Sequence, residues 1–368
     1  MSKKCALLNN HVRLSPDGTV QPCCVSDWEL PEDYPPLPRI EDGIEAAFDS
    51  EFFNFIRDKM DRGEEPETCS ICYDEEKYGA KSFRQEWNEK YDVNSPKKIR
   101  YIHTWLTNHC NLACRMCNET YSTKWFQLKN LKQKVNKSEE GSIIDYYDGD
   151  LSEVDRIRFS GGEPLIDKHH VPFLEHLMKE KNNDISNVKL EYNTNGTVKP
   201  TQRVIEFWKQ AESVLIEFSI DGIGKVNEIL RPPHSWDTVL ETIAYFKSIE
   251  GVNFTFDMHT VINIANIKYM EETIQFSYDN FGKLPILVVL RLPEHLSIYN
   301  QTPEMKKYIH DMISEKFLGQ IDEEGSDNSI TFLLDKLKEP NNTVYTIEEV
   351  IAEEDKHHYF KNSISELL

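Results

Sequence analysis

The sequence predicts an α/β protein: a partial (β/α)6 TIM-like barrel, with a small cysteine-bearing module before it and a helical extension after it. Three observations carry that expectation. From about residue 97 the chain alternates short β-branched or aromatic runs with longer amphipathic segments. Each run ends in a polar or Gly-rich turn. Three cysteines crowd into Cys110–Cys117, directly after the first run. About six βα units result, and since about eight close a full barrel, the expected one is incomplete. The division that follows is 1–96, 97–300 and 301–368.

The 368 residues, 39% of them hydrophobic, suffice for one large barrel or two unequal domains. No apolar run reaches the roughly eighteen residues of a membrane span, and Met1-Ser2-Lys3-Lys4-Cys5 lacks the apolar stretch of a secretion signal. The expected location is the reducing cytoplasm, where eight cysteines in close-spaced groups argue for metal ligation over disulfides. A net charge of −21 disfavours broad nucleic-acid binding. It keeps the chain dispersed, and would also suit a basic partner peptide.

In the first block Cys5 precedes His11–Leu14, then Ser15-Pro16-Asp17-Gly18, then Thr19–Cys23. Pro-Asp-Gly between short apolar stretches reads as a hairpin that returns Cys23 towards Cys5. Ile44 to Met60 has helical spacing. Cys69 and Cys72 form a C-x2-C turn. Cys5, Cys23, Cys69 and Cys72 could complete a four-thiolate site, and a structural zinc knuckle is an open reading of it. Cys24 is left over.

The second block reads as strands over 99–107, 154–160, 187–193, 213–220, 252–262 and 286–292. Helices should fill 118–135, 168–181, 200–212, 236–250 and 266–281. Cys110, Cys114 and Cys117 lie on the loop after the first strand, at C-x3-C-x2-C spacing. Three thiolates on a four-iron cluster leave one iron open to bind and reduce something. Half of a zinc site, closed by His109 or His103, is the alternative. Later strand ends carry Gly161-Gly162-Glu163-Pro164, Thr194-Asn195-Gly196, Ser219-Ile220-Asp221-Gly222 and Asn263 with Asn266. Each alone is an ordinary turn. Together they fall at carboxyl ends of strands, where barrels build their sites.

The third block has amphipathic helices, such as Pro303 to Phe317 and Ile347 to Tyr359, and no visible chemistry. His169-His170 and His357-His358 read as solvated pairs.

With these residues placed, Cys110-x3-Cys114-x2-Cys117 followed by Gly161-Gly162-Glu163-Pro164 resembles the radical S-adenosylmethionine (SAM) superfamily over about 97–300. The resemblance implies a [4Fe–4S] cluster on the three cysteines, with SAM chelated to the free iron and cleaved to a 5′-deoxyadenosyl radical that abstracts hydrogen. It implies that Gly161, Gly162, Glu163 and Pro164 hold the methionyl amine. Thr194, Asn195, Ser219 and Asp221 would serve the ribose and methionyl ends, Arg231 would meet the SAM carboxylate, and Asn263 and Asn266 would contact SAM. Met116 stands where the family commonly has an aromatic residue.

The first block resembles the SPASM auxiliary-cluster module in its shorter "twitch" form, placed before the barrel instead of after it. That implies a second [4Fe–4S] cluster on Cys5, Cys23, Cys69 and Cys72. The implied partners are a peptide or small-molecule substrate and an electron donor such as flavodoxin or ferredoxin. A non-catalytic iron–sulfur or SAM-binding scaffold is the alternative.

Overall fold

A computed structural model describes residues 2–15, 17–26, 30–131, 147, 150–317, 334–341, 343–356 and 360–368. Its strands are β1 His11–Leu14, β2 Val20–Gln21, β3 Tyr101–Trp105, β4 Arg156–Ser160, β5 Lys189–Thr194, β6 Ser213–Ser219, β7 Phe254–Ile262 and β8 Ile286–Val289. They form one eight-stranded sheet in the order β2-β1-β3-β4-β5-β6-β7-β8. From β3 onward, strand order follows chain order and each strand leads into a helix. This is the expected α/β architecture of a partial TIM-like barrel. The helices are α1 Leu7–Asn10, α2 Ile44–Phe48, α3 Glu51–Asp61, α4 Ser70–Lys77, α5 Phe83–Lys90, α6 Thr123–Leu128 and α7 His170–Glu180. There follow α8 Gln202–Trp208, α9 Lys225–Leu230, α10 Trp236–Ser248, α11 Met270–Phe281, α12 Pro303–Phe317 and α13 Ile347–Asp355.

The chain divides into two compact units that interleave in sequence. The first is Met1–Asn108, Val135–Tyr192 and Gln202–Val214; the second is His109–Lys134, Asn193–Thr201 and Leu215–Leu368.

In the first unit the expected hairpin is present: β1 and β2 pair antiparallel, Arg13 opposite Gln21. It also does something the sequence did not announce. β1 runs parallel to β3, with Val12 opposite Ile102, and so extends the barrel sheet. β3, β4 and β5 are parallel neighbours. Side chains alternate between faces along a strand. On one face Val12, Ile102, Ile157, Phe159 and Leu190 are fully buried. Phe159 meets Phe173 of α7 edge-on at 5.5 Å between ring centres, and Tyr192 meets Trp208 of α8 at 5.3 Å. On the other face Arg13, His103, Arg158 and Glu191 stand opposite one another across four strands. Glu191 accepts from Arg158 Nε at 2.8 Å and also pairs with Arg156.

The expected helix over Ile44–Met60 is two helices. Ser50 adopts an extended ψ of 161° and its hydroxyl accepts from the Phe53 amide, so it ends α2 and caps α3. The His169-His170 reading is corrected as well. His170 is buried and hydrogen-bonded to the Tyr192 hydroxyl at 2.9 Å, and His169 sits against Asp167. His357 and His358 lie outside the described residues.

In the second unit β7 and β8 are parallel, with His259 opposite Ile286. A core of Val226, Leu230, Ile262, Ile309, Ile313, Val350, Ile364 and Leu367 joins α9, β7, α12, α13 and the end of the chain. Burying each such side chain contributes about 1.5–3 kcal/mol. The helix expected over 118–135 begins only at Thr123, because Ser122 caps α6 by accepting from Lys124 N–H; residues 132–135 lie outside the described ones. β8 stops at Val289, short of the expected 292, and α13 ends at Asp355. No helix among the described residues is long and apolar enough to cross a membrane.

Candidate iron–sulfur and SAM site

The Cys110–Cys117 loop belongs to the second unit and is fixed mainly by its backbone. Ala113 N–H donates to Pro232 O at 2.6 Å, and Arg115 N–H to Leu230 O at 2.8 Å, so the loop lies along the end of α9. Cys117 N–H closes a turn onto Cys114 O at 2.9 Å. The α6 start holds the other side: Cys110 N–H donates to Thr123 Oγ1, and Ser122 Oγ donates to Leu112 O. Trp125 Nε1 donates to Cys114 O at 3.2 Å.

The thiols of this loop are partly buried. Burial, then the charges of Cys114 and Cys110, push the Cys117 thiol well above its ordinary pKa. Burial also raises Cys114, while Arg231 pulls it down. The three sulfurs are therefore gathered closely enough to feel one another, and a positive centre faces them. Arg231 Nη1 lies 3.8 Å from Cys114 Sγ. Asn195 Nδ2 lies 4.0 Å from Cys110 Sγ and donates to Asn111 Oδ1 at 2.8 Å. A thiol-only donor set faced by a cation fits an anionic iron–sulfur cluster, whose potential responds to hydrogen bonds at its sulfurs.

The other residues of this unit fall into two groups. Asp221, fully buried, holds Arg231 Nε at 2.6 Å through one carboxylate oxygen and accepts from Val261 N–H through the other. Burial works against the Arg231 charge, but Asp221 and the Cys114 thiol outweigh it and raise its pKa. Asn266 Nδ2 donates to the Asp221 carbonyl, and its Oδ1 accepts from Asn263 N–H. Asn263 and Asn266 are fully buried and knit the end of β7. So Cys114, Arg231, Asp221, Asn266 and Asn263 form one hydrogen-bonded chain. Thr194 is buried and accepts from Gly196 N–H, and Ser219 is half-buried at the end of β6.

The Gly-Gly-Glu-Pro turn belongs to the first unit. Gly161 and Gly162 have φ of +73° and +51°. A Cβ on Gly161 would lie 2.6 Å from the Trp105 ring, so only glycine fits there. Glu163 is fully buried, and its Oε1 accepts from Leu165 N–H, capping the short turn Pro164–Ile166. Nearby, Thr107 Oγ1 donates to Asp167. His103, weighed as a zinc ligand, is engaged with Ser160 Oγ at 2.5 Å.

The second thiol set also lies in the first unit. Cys5 precedes α1, Cys23 follows β2, Cys69 ends a 3-10 turn, and Cys72 is in the first turn of α4. Burial raises the Cys5 thiol to about 11 and the Cys72 thiol to about 12. Burial, then the charges of Cys24, Cys72, Cys69 and Cys5, raise Cys23 well above its ordinary value. Three segments of chain carry these thiols, and Cys5 and Cys23 pack on one core cluster. Arg84, paired with Glu76 at 2.6 Å, lowers Cys5 and ties down the carbonyls of Ser2 and Lys4. Trp87, Tyr91 and Tyr101 pack around Cys5 and Cys23. Cys24 is exposed, beyond the end of β2 at Gln21. Among the described residues no three His, Cys, Asp or Glu side chains converge as they would on a single metal ion.

Sequence reasoning missed Arg84, Glu76, Asn111 and Asn227. Asn227 Oδ1 accepts from Asp221 N–H at 3.0 Å. Asn111 lies within the cysteine loop, and the other three sit in no motif. Their roles come from contacts across the fold.

Residues 106–277 match the family described as the radical SAM superfamily, and residues 5–73 the SPASM iron–sulfur cluster-binding domain. The chain is similar to an uncharacterized protein of Methanocaldococcus jannaschii, 29% identical over 218 residues, 58% of this chain and 71% of that one. It is also similar to a probable GTP 3′,8-cyclase of the same organism, 26% identical over 229 residues, 60% of this chain and 71% of that one. Among solved structures it is similar to native anSMEcpe with bound AdoMet, at TM-score 0.43 and 18% identity, over 60% of this chain and 62% of that one. The chain carries a SPASM domain over residues 5–73 ahead of a radical SAM domain over residues 106–277, and these domains imply SAM, a SAM-binding [4Fe–4S] cluster and an auxiliary iron–sulfur cluster.

Proposed function

We propose that this chain is a radical SAM enzyme that takes a hydrogen atom from a peptide or small-molecule substrate. The observation that carries the reading is the Cys110–Cys117 loop, with Arg231 3.8 Å from one of its sulfurs. The chemistry supplied by the bound cofactors is reductive cleavage of SAM to methionine and a 5′-deoxyadenosyl radical. The protein's part is to hold and tune. Cys110, Cys114 and Cys117 would ligate the cluster and would leave one iron without a protein ligand. Arg231 places a positive charge beside a ligating sulfur, which favours the reduced cluster, and its guanidinium can meet the SAM carboxylate. Asp221 has both carboxylate oxygens engaged, so its part is to hold Arg231. Asn266 holds the Asp221 carbonyl, and Asn263 holds Asn266. Thr194, Asn195 and Ser219 serve the polar ends of SAM from the second unit. The Gly161-Gly162-Glu163-Pro164 turn is the motif we assign to the methionyl amine.

Cys5, Cys23, Cys69 and Cys72 would hold the auxiliary cluster, which would supply electron relay. The working parts are the module 1–96, the core 97–300 and the extension 301–368. Flavodoxin or ferredoxin is the electron donor. Eight free cysteines support a location in the reducing cytoplasm. The relative named a probable GTP 3′,8-cyclase brings nucleotides within the small-molecule class.

The test is anaerobic reconstitution with iron and sulfide, followed by dithionite and SAM. Formation of 5′-deoxyadenosine that Cys114→Ala abolishes supports the reading. A fully reconstituted, SAM-bound chain that forms none, with or without added peptides and nucleotides, contradicts it.

A further inference from the structure

The helical extension, which shows no chemistry in its sequence, reaches the cluster loop. Arg115 stands between Cys114 and Cys117, and its side chain turns into the second unit's interior. Arg115 Nη1 pairs with Glu354 Oε2 of α13 at 2.6 Å, both side chains being 2% exposed or less. Nη2 donates to Asn362 O at 2.6 Å, and Nε donates to Ile229 O at 2.8 Å. The guanidinium thus has a partner on α9, on α13 and on the segment after α13. It also lies over the Phe360 ring, 4.2 Å from its centre. Phe360 meets Trp125 edge-on at 5.4 Å, and Trp125 donates to the Cys114 carbonyl. The second Glu354 oxygen is held by His295 Nε2 at 2.8 Å. Met116, the other residue between the two cysteines, packs on the core that contains Val350, Ile364 and Leu367.

We infer that Glu354 is a positioning residue for the cluster loop: by fixing Arg115 it sets where the Cys114 and Cys117 sulfurs stand, so that the extension is part of the SAM-cluster site. A buried guanidinium does not tolerate the loss of its carboxylate, because the remaining charge has no water to turn to. Without Glu354, Arg115 seeks solvent. Cys114 and Cys117, on either side of it, move with the backbone, and the ligating geometry loosens. Groups that orient metal ligands from behind commonly govern metal retention in this way. The inference rests on the proposed cluster at Cys110, Cys114 and Cys117.

The experiment uses the full chain, reconstituted anaerobically, reduced with dithionite and challenged with a ferrous chelator. The readout is decay of the electron paramagnetic resonance signal that shifts on adding SAM, with unfolding followed separately by circular dichroism. Glu354→Gln is expected to lose that signal about tenfold faster than the parent, while the part of the spectrum that ignores SAM decays at the parental rate. His295→Gln, which frees one Glu354 oxygen and leaves the Arg115 pair, is expected to give about threefold; it decides the matter if Glu354→Gln does not fold. Decay at the parental rate in a folded Glu354→Gln chain, or in His295→Gln where only that folds, overturns the inference, as does equal acceleration of both signals. A parent chain with no SAM-responsive signal contradicts the proposed function instead, so the two failures are distinct.

Discussion

The two thiol sets are made of the same side chain and differ in nearly everything around it. Cys5, Cys23 and the Cys69–Cys72 turn come from three segments of the first unit, with Trp87, Tyr91 and Tyr101 packed against Cys5 and Cys23. Cys110, Cys114 and Cys117 come from one loop of the second unit, with Arg231 and Asn195 near their sulfurs. Four thiols, two of them against an aromatic cluster, suit a closed centre that passes electrons. Three thiols faced by polar side chains suit an open centre that binds a reactant. The difference teaches that the reactive character of an iron–sulfur site is set by the count of thiols and the polarity next to them.

The sharpest way to break that contrast is to remove one thiol from each set. Cys114→Ala should lower 5′-deoxyadenosine formation at least about a thousandfold and erase the SAM-responsive paramagnetic signal. Cys72→Ala should leave that signal in place and change only the rest of the spectrum. Equal loss of the SAM-responsive signal in both variants would remove the distinction.

Next in size are the cations. Arg231→Gln strands the buried Asp221 carboxylate and should destabilise the apo chain by about 3 kcal/mol in urea unfolding. In the reconstituted chain it should lower the potential of the SAM-responsive cluster alone. Arg84→Gln should shift the auxiliary cluster alone. A shift of the same cluster in both variants would show that the cations do not divide as the geometry indicates.

Acid should tell on the first unit. Burial pushes His170 down to about 4, with Asp167 pulling the other way. An unfolded histidine titrates near 6.5, so between these values the unfolded chain binds more protons than the folded one. The stability His170 contributes is present above about pH 6.5 and lost as pH falls towards 4, about 2–3 kcal/mol by pH 4.5. Urea midpoints from pH 7 to 4.5 should show that slope, flattened in His170→Gln; an unchanged slope counts against the buried neutral imidazole. The smallest effect belongs to the half-buried Lys283–Asp257 pair, 2.8 Å long and with no thiol at either end. Lys283→Ala should cost about 0.5 kcal/mol and leave both cluster signals untouched, giving the baseline for the larger changes.

Much of this was legible in the sequence because it is local. The C-x3-C-x2-C spacing, the Gly-Gly-Glu-Pro turn and the alternation of strands with amphipathic helices each lie within a short window. What was not legible depends on distant pairing. Arg115 and Glu354 are 239 positions apart, and no periodicity connects them. β1 joins β3 across most of the first block. The break at Ser50 interrupts an apolar spacing that continues across it, so periodicity hid a cap. His170 reads as polar beside His169 but fills a core position between Phe159 and Tyr192.

The most direct test of the central claim is Mössbauer and paramagnetic resonance spectroscopy of the anaerobically reconstituted full chain, with and without SAM. About eight irons per chain in two cubane clusters are expected, one of which changes its spectrum when SAM is added. Two clusters that both ignore SAM, or no cluster that Cys110, Cys114 and Cys117 are needed to hold, would contradict that claim.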